Sequence, residues 1–105
     1  MAEATKRFIE EIRESDIYKE YDRQRARIKQ QPELFARIQD YRQKNYELQV
    51  GAQGDELFDK IIAFEQEYET FRENPLVDDF LRAELAFCRL IQEVNQQISE
   101  ELDFE

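Results

Sequence analysis

The 105-residue sequence contains no histidine and no tryptophan, one cysteine, two glycines and two prolines. The missing histidine excludes His-dependent catalytic triads, zinc sites with histidine ligands and Glu-x-x-His di-iron sites. A single cysteine can form neither an intrachain disulfide nor the ligand set of an iron–sulfur cluster within one chain, and it fits a reducing cytoplasm. No glycine-rich phosphate-binding loop is present. These absences leave a chain without visible catalytic chemistry, and we expect no cofactor.

The sequence also lacks a long apolar run, a signal-peptide pattern and the alternation of β-branched residues that is typical of strands. Eight phenylalanines and five tyrosines argue against disorder, and 38% of the residues are charged. This composition is typical of a soluble all-helical protein. We therefore predict one all-α domain over residues 1–105, cytoplasmic and without membrane insertion.

Proline and capping residues divide the sequence into five predicted helices. Ser15 is a good N-cap, Asn74-Pro75 combines an N-cap with proline in the first helical turn, and Pro32 starts a helix in the same way. The glycines of the segment 51–54 break the chain between the third and fourth helices, which predicts an antiparallel hairpin. We expect helices over residues 3–14, 16–30, 32 to the glycine break, 55–72, and 75 to about 102. Helices three, four and five should form the core of the bundle.

The longest predicted helix carries an apolar face about half its circumference wide, and such a face needs at least two neighbouring helices. The positions on this face are Val77, Phe80, Leu81, Glu84, Leu85, Phe87, Cys88, Ile91, Val94 and Ile98. The fourth helix has a seam of apolar residues spaced alternately four and three apart, which is typical of core packing. Its members are Leu57, Ile61, Phe64, Tyr68 and Phe71. Because this is more apolar surface than one small bundle covers, we predict a homodimer with helices four and five at or near the interface.

Glu84 is the residue that stands out, because its carboxylate falls within the apolar face between Phe80 and Phe87. A buried carboxylate without a partner costs several kcal/mol, so we expect Arg25 or Tyr21 of the second helix to pair with it. A structural ion pair that fixes the helix register is favoured over a binding role. The candidate structural or interaction residues are Tyr18, Tyr21, Arg25, Phe80, Glu84, Phe87 and Cys88. Cys88 is expected to pack as a small hydrophobic residue.

Charge is distributed unevenly along the chain, whose net charge is −10. Residues 19–44 contain eight basic and four acidic side chains, so this segment is +4 and the remainder is −14. No basic residue follows Arg89. This asymmetry favours head-to-tail docking, within the molecule or between subunits.

The tyrosines interleaved with these basic residues suggest an alternative, an RNA-contacting surface built from Tyr18, Tyr21, Tyr41 and Tyr46. Arg23, Arg25 and Arg27 would supply its phosphate contacts. We favour pairing of these charges with the chain's own acidic helices, because a net charge of −10 repels a polyanion.

A second alternative is enzymatic. The segments 10–14 (Glu-Glu-Ile-Arg-Glu) and 100–103 (Glu-Glu-Leu-Asp) are similar to the paired carboxylates with which all-helical nucleotide pyrophosphatases hold magnesium. If Phe8 and Ile12 face inward, however, Glu10 and Glu14 turn largely outward. A solvated charged face is therefore the favoured interpretation.

The chain resembles the YlbF/YmcA family of small helical bacterial proteins. The resemblance covers most of the chain and is carried by two sets of residues. They are Ser15-x-x-Tyr18-x-x-Tyr21 with Gln31-Pro32-x-Leu34, and Asn74-Pro75-x-Val77-x-x-Phe80-Leu81-x-Ala83-Glu84-x-x-Phe87-x-x-Leu90-Ile91-x-x-Val94. The second set is the more specific, because it combines a capped proline start with a polar residue inside an apolar stripe.

The resemblance implies an all-α protein without catalysis that acts through protein–protein contacts. In the best-known members, a YlbF–YmcA–YaaT assembly works with the endoribonuclease RNase Y and influences mRNA processing, competence, sporulation and biofilm formation. Some members carry several cysteines that bind an iron–sulfur cluster. This sequence has only Cys88, so partner chains would have to supply the other ligands. The expected function is that of a regulatory adaptor.

Overall fold

A computed structural model describes residues 1–51 and 54–103, and the regular elements in these ranges are all α-helices. Their bounds are α1 Ala2–Glu14, α2 Asp16–Lys29, α3 Pro32–Gly51, α4 Gly54–Glu73 and α5 Pro75–Glu101. The all-α class and the five predicted helices are confirmed, with boundaries close to those expected. Residues 52 and 53 of the predicted glycine break lie outside the described residues. None of the described helices combines the length and apolarity that crossing a bilayer requires.

The predicted N-caps begin α2 and α5. The backbone N–H of Leu76 donates to Oδ1 of Asn74 at 3.0 Å, and the N–H of Tyr18 donates to Oγ of Ser15 at 3.2 Å. The Ser15 hydroxyl donates in turn to the carbonyl oxygen of Ile12 at 2.6 Å. The Ser15 hydroxyl therefore caps an N–H at the start of α2, and its N–H and hydroxyl both donate to the Ile12 carbonyl at the end of α1, so one residue separates two helices.

The chain forms two compact units, Met1–Ala26 with Asp79–Glu105 and Arg27–Asp78. In the second unit α3 and α4 pack against each other as an antiparallel hairpin. The guanidinium of Arg37 lies 4.7 Å from the ring centroid of Phe71, and Nζ of Lys44 donates to Oε1 of Glu67 at 2.7 Å. Because the partner number falls on α4 as the residue number rises on α3, the two helices run in opposite directions, which confirms the predicted hairpin.

Among the described residues, full burial is limited to a few side chains in each unit. The first unit buries Phe80, Ala83 and the polar Gln24, whose amide nitrogen donates to Oε1 of Glu20 at 2.7 Å. The buried side chains of the second unit are Ile28, Ile38, Tyr68, Phe71 and Val77. The α4 seam is therefore buried at its C-terminal end only, because Ile61, nearer the start of the helix, is exposed.

The buried side of α5 is narrower than predicted. Ala83 is buried, whereas Leu85 is 50% exposed and Cys88 is exposed. At about 100° per residue, Cys88 and Leu85 lie roughly 80° and 140° around the helix from Phe80, on its flank. The expectation that Leu85 and Cys88 pack inward is therefore wrong, because the neighbouring helix surface does not extend that far around α5.

Gly54, at the start of α4, has a φ of 66°, in the left-handed region that L-residues rarely adopt. We expect Gly54→Ala to lower the free energy of unfolding by about 1 kcal/mol, because the added Cβ disfavours this conformation. Gly51→Ala is the matched control. A Cβ there meets nothing within 4 Å, and alanine is the better helix former. Urea unfolding followed by circular dichroism measures both variants, and an equal loss of stability in the two would contradict the argument.

Candidate interaction sites

Four aromatic rings join α2 to α5 in the first unit. The rings of Tyr21 and Phe87 stack at 5.1 Å with an interplanar angle of 12°, and Tyr18 meets Phe87 edge-on at 5.4 Å. Phe80 lies 6.1 Å from Tyr21. These separations are within the range in which aromatic pairs attract each other beyond their buried area. The structure thus brings together Tyr18, Tyr21, Phe80 and Phe87, which the sequence singled out; we call them the Tyr21–Phe87 cluster.

Arg25 extends this cluster on α2. Its guanidinium carbon lies 5.1 Å from the ring centroid of Tyr21, a cation–π distance, and its Nη2 donates to Oδ1 of Asp22 at 2.7 Å. The hydrogen bond to Asp22 raises the pKa of the Arg25 guanidinium, and a hydrogen bond with Tyr18 adds to the increase. The charge of Arg25 is therefore held at the edge of the cluster by a carboxylate of its own helix.

Glu84 is half-buried, one helical turn after Phe80 and one turn before Phe87. The sequence analysis expected it to be buried within the apolar face. It lies about 40° around α5 from Phe80, and its side chain retains access to water. Its pairing with Arg25 or Tyr21, and its role in fixing the register of α5, stay predictions.

Cys88 is a free, exposed cysteine directly after Phe87. The expectation that it packs as a small hydrophobic residue is wrong, because position 88 turns away from the ring contacts that Phe87 makes. A cysteine on this flank is accessible from outside the chain.

The second unit contains an aromatic cluster that sequence reasoning did not single out. Tyr41 of α3 lies 5.2 Å from both Phe64 and Tyr68 of α4, and Phe71 completes the group at 5.6 Å from Tyr68. The available signal was the α4 seam, whose last three members are all aromatic and which faces a tyrosine on α3. From the sequence alone, that seam indicated core packing and no more.

Cations of α3 lie at the edge of this second cluster. Nζ of Lys44 is 5.5 Å from the ring centroid of Tyr68 while it donates to Glu67. The hydrogen bond to Glu67 raises the pKa of Lys44. Arg37 covers the ring of Phe71 in the same manner. Lys44 of the +4 segment thus pairs with a carboxylate of α4, and Arg37 and Lys44 both lie over aromatic rings of α4.

The tyrosines of the RNA-binding alternative are divided between the two units. Tyr18 and Tyr21 pack against phenylalanines in the first unit, and Tyr41 packs against α4 in the second. Tyr46 is exposed. A base can stack only on a ring whose face is free, and three of these four rings already contact other rings of their own unit.

The carboxylates of the enzymatic alternative lie on exposed helix surface. Glu10 accepts a hydrogen bond from Arg13 at 3.0 Å, and Glu14 lies 3.6 Å from Nζ of Lys19. Within residues 1–51 and 54–103, no group of three or more cysteine or acidic side chains is arranged so that it could hold a metal ion. Such exposed pairs contribute little to stability.

Large apolar side chains remain exposed in both units. In the second unit they include three residues of the N-terminal half of α4, where Phe58 is 66% exposed and Ile61 and Ile62 are also accessible. In the first unit, α1 buries no residue at all, and its Phe8 is 42% exposed. Scattered apolar residues on a surface are normal, but several on one helix face mark a contact surface.

Phe8 of α1 and residues at and directly after the C-terminal end of α5 line one groove of 470 Å³ in the first unit. We call it the terminal groove; its lining residues are Phe8, Val94, Gln97, Ile98, Glu101 and Leu102. Ile98 is 47% and Leu102 72% exposed. Three of the six side chains are aliphatic and one is aromatic, and Glu101 is the charged member.

Comparison with known proteins gives one family and two relatives. The family described as "Control of competence regulator ComK, YlbF/YmcA" matches residues 1–103. A UPF0342 protein of Caldicellulosiruptor bescii is 24% identical over 95 residues, which cover 89% of this chain and 80% of that protein. A UPF0342 protein of Caldicellulosiruptor saccharolyticus is 23% identical over 94 residues, covering 88% and 78%. No solved structure matches the chain significantly.

We expect Phe87→Ala to lower the free energy of unfolding by about 2 kcal/mol, less than for a fully buried phenylalanine because Phe87 is half-buried. The loss follows from removing the ring that both tyrosines of α2 contact. Cys88→Ala, at the next position on the exposed flank, should change stability by less than about 0.5 kcal/mol. Thermal and urea unfolding measure both. Similar losses for the two variants would show that the cluster does not stabilise the first unit.

Proposed function

Because the chain belongs to the YlbF/YmcA family, described as controlling the competence regulator ComK, we propose that it is a non-enzymatic regulatory adaptor of a bacterial cytoplasmic complex. The observation that carries this proposal is the family match over residues 1–103, nearly the whole chain. An adaptor acts by presenting surface to other proteins, so its function requires contact surface and no reactive group. The chain therefore regulates by bringing other macromolecules together.

The exposed apolar residues support this function. Phe58 of α4 and Phe8 of α1 are large apolar side chains that each unit leaves accessible. Burying such a side chain contributes about 1.5–3 kcal/mol, so a partner that covers several of them binds with useful affinity. The Tyr21–Phe87 cluster, in contrast, directs its rings at one another. It serves as the framework that holds α2 on α5.

The proposed partners are YlbF-, YmcA- or YaaT-like proteins and, through them, RNase Y, as in the family members that the sequence resembles. In this role the chain influences mRNA processing without contacting RNA itself. The packing of Tyr18, Tyr21 and Tyr41 against other rings supports an indirect role, because these tyrosines are occupied within the protein.

Affinity purification of the tagged chain from its native bacterium, read by mass spectrometry, tests this function. We expect the chain to recover YlbF-, YmcA- or YaaT-like proteins, and RNase Y at lower yield because its contact is indirect. A tagged Phe87→Ala chain, whose first unit we expect to be destabilised, serves as the control. Partners that bind only the folded protein should be recovered less well with this variant. Recovery of the chain alone from the native bacterium would contradict the adaptor function.

We also propose that the chain forms a homodimer with apolar surface of α4 and α5 at or near the interface. Phe58, Ile61 and Ile62 supply this surface on α4, and Leu85 supplies it on α5. The charge asymmetry supports the same arrangement. The +4 segment of residues 19–44 in one subunit complements the −14 remainder of the other.

Light scattering at micromolar concentration should give twice the chain mass of 12.8 kDa. Phe58→Asp should shift the protein to the monomer, because it places a charge in the proposed apolar interface. Val50→Asp, the same kind of change at an exposed apolar position on α3, should leave the dimer intact. A wild-type chain that stays monomeric, or equal dissociation of the two variants, would rule out this interface.

A further inference from the structure

We propose that the terminal groove binds an amphipathic helix of a partner protein, with the apolar stripe of that helix in the groove and basic residues along its edge. This inference rests on the proposed adaptor function and assigns it a surface and a partner chemistry. It concerns α1 and the end of α5 in the first unit. The α4 surface that we assign to dimerisation belongs to the second unit.

The apolar part of the argument comes from the exposure of α1 and α5. α1 has a strongly one-sided distribution of apolar residues, yet none of them is buried. Phe8 of α1, Ile98 of α5 and Leu102, directly after α5, line the same groove and remain 42%, 47% and 72% exposed. Two helices thus direct apolar side chains at one space that the first unit does not fill.

The shape of this site favours a helix as its occupant. The groove is open and is lined by residues of α1, α5 and the residue after α5. Its aliphatic members recur every fourth residue, with Val94 and Ile98 on α5 and Leu102 directly after its end. That spacing follows one side of α5 for about two turns, a length of roughly 12 Å. An incoming amphipathic helix offers apolar residues at matching intervals, the mode in which helices bind in grooves.

Charge decides which kind of helix binds. Glu101 lines the groove, and no lining residue is basic. After Arg89 the described part of α5 and its end carry Glu93, Glu100, Glu101 and Asp103 and no basic residue. The basic residues of α1 do not share the side of that helix that carries Phe8, because each lies about 100° or more around the helix from it. The resulting negative potential attracts lysine and arginine beside the apolar stripe and repels an acidic helix or an anionic membrane.

Fluorescence anisotropy with a labelled model peptide tests the site directly. The probe is a helix of about 14 residues, or four turns, built from leucine on one face and lysine on the other. A second peptide with glutamate in place of lysine controls for apolar binding alone. We expect the lysine peptide to bind the wild-type chain at least about tenfold more tightly than the glutamate peptide at near-physiological salt.

Two substitutions test the groove itself. Ile98→Asp removes an apolar contact and Glu101→Lys reverses the rim charge, and each should weaken binding of the lysine peptide about tenfold or more. The matched controls make the same chemical changes in the second unit, outside the proposed dimer interface. They are Val50→Asp, at an exposed apolar position of α3, and Glu69→Lys, in an acidic groove. The affinity of the control variants for the lysine peptide should stay within about twofold of wild type. If the peptide were attracted by net charge alone, the groove variants and the controls would lose affinity equally.

Three outcomes would overturn the inference. One is equal weakening by the groove variants and their controls, which would mean non-specific attraction to an acidic protein. Another is equal affinity for the two peptides. The third is a fall in the mass of Ile98→Asp by light scattering, which would show that a second copy of the chain covers the groove. Circular dichroism confirms that each variant is folded. Because the assay uses purified protein, its failure is distinguishable from a failure to recover native partners.

Discussion

The stacking of Tyr21 on Phe87, at 5.1 Å and nearly parallel, is the contact on which the organisation of the first unit depends. It holds α2 against α5, and Tyr18 and Phe80 extend it along both helices. In a unit that fully buries few side chains, rings supply the contact area, since each aromatic side chain brings about 150–250 Å² of surface. Aromatic packing also joins the helices of the second unit, where Tyr41 of α3 lies among the rings of α4.

Holding helices together with a few rings has a consequence for function. The rings cover the middle of α5 and the end of α4, but the N-terminal half of α4, the whole of α1 and the last turns of α5 keep apolar residues exposed. The helices are thus longer than the clusters that hold them. This excess length leaves apolar surface accessible in both units, and that surface is the physical basis of the adaptor function that we propose.

The candidate site could be predicted in part. The helical spacing of apolar residues identified Phe80 and Phe87 on α5 and, from a smaller set, Tyr18 and Tyr21 on α2. The structure brings all four together. The period could not show how much of the α5 surface is covered. Cys88 and Leu85 are apolar in the sequence but exposed in the structure. The extent of burial depends on how far the neighbouring helix surface extends around α5, and no pattern within α5 contains that information.

The sequence by itself determined the secondary structure of this protein. The caps Ser15 and Asn74, the prolines at 32 and 75 and the glycines at 51 and 54 act within a few residues of chain, so their effects can be read locally. The tertiary structure alone decided which apolar faces are covered, which cations lie over rings, and that α1 and α5 leave one groove open. These features depend on distances between residues far apart in the chain, which local pattern does not specify.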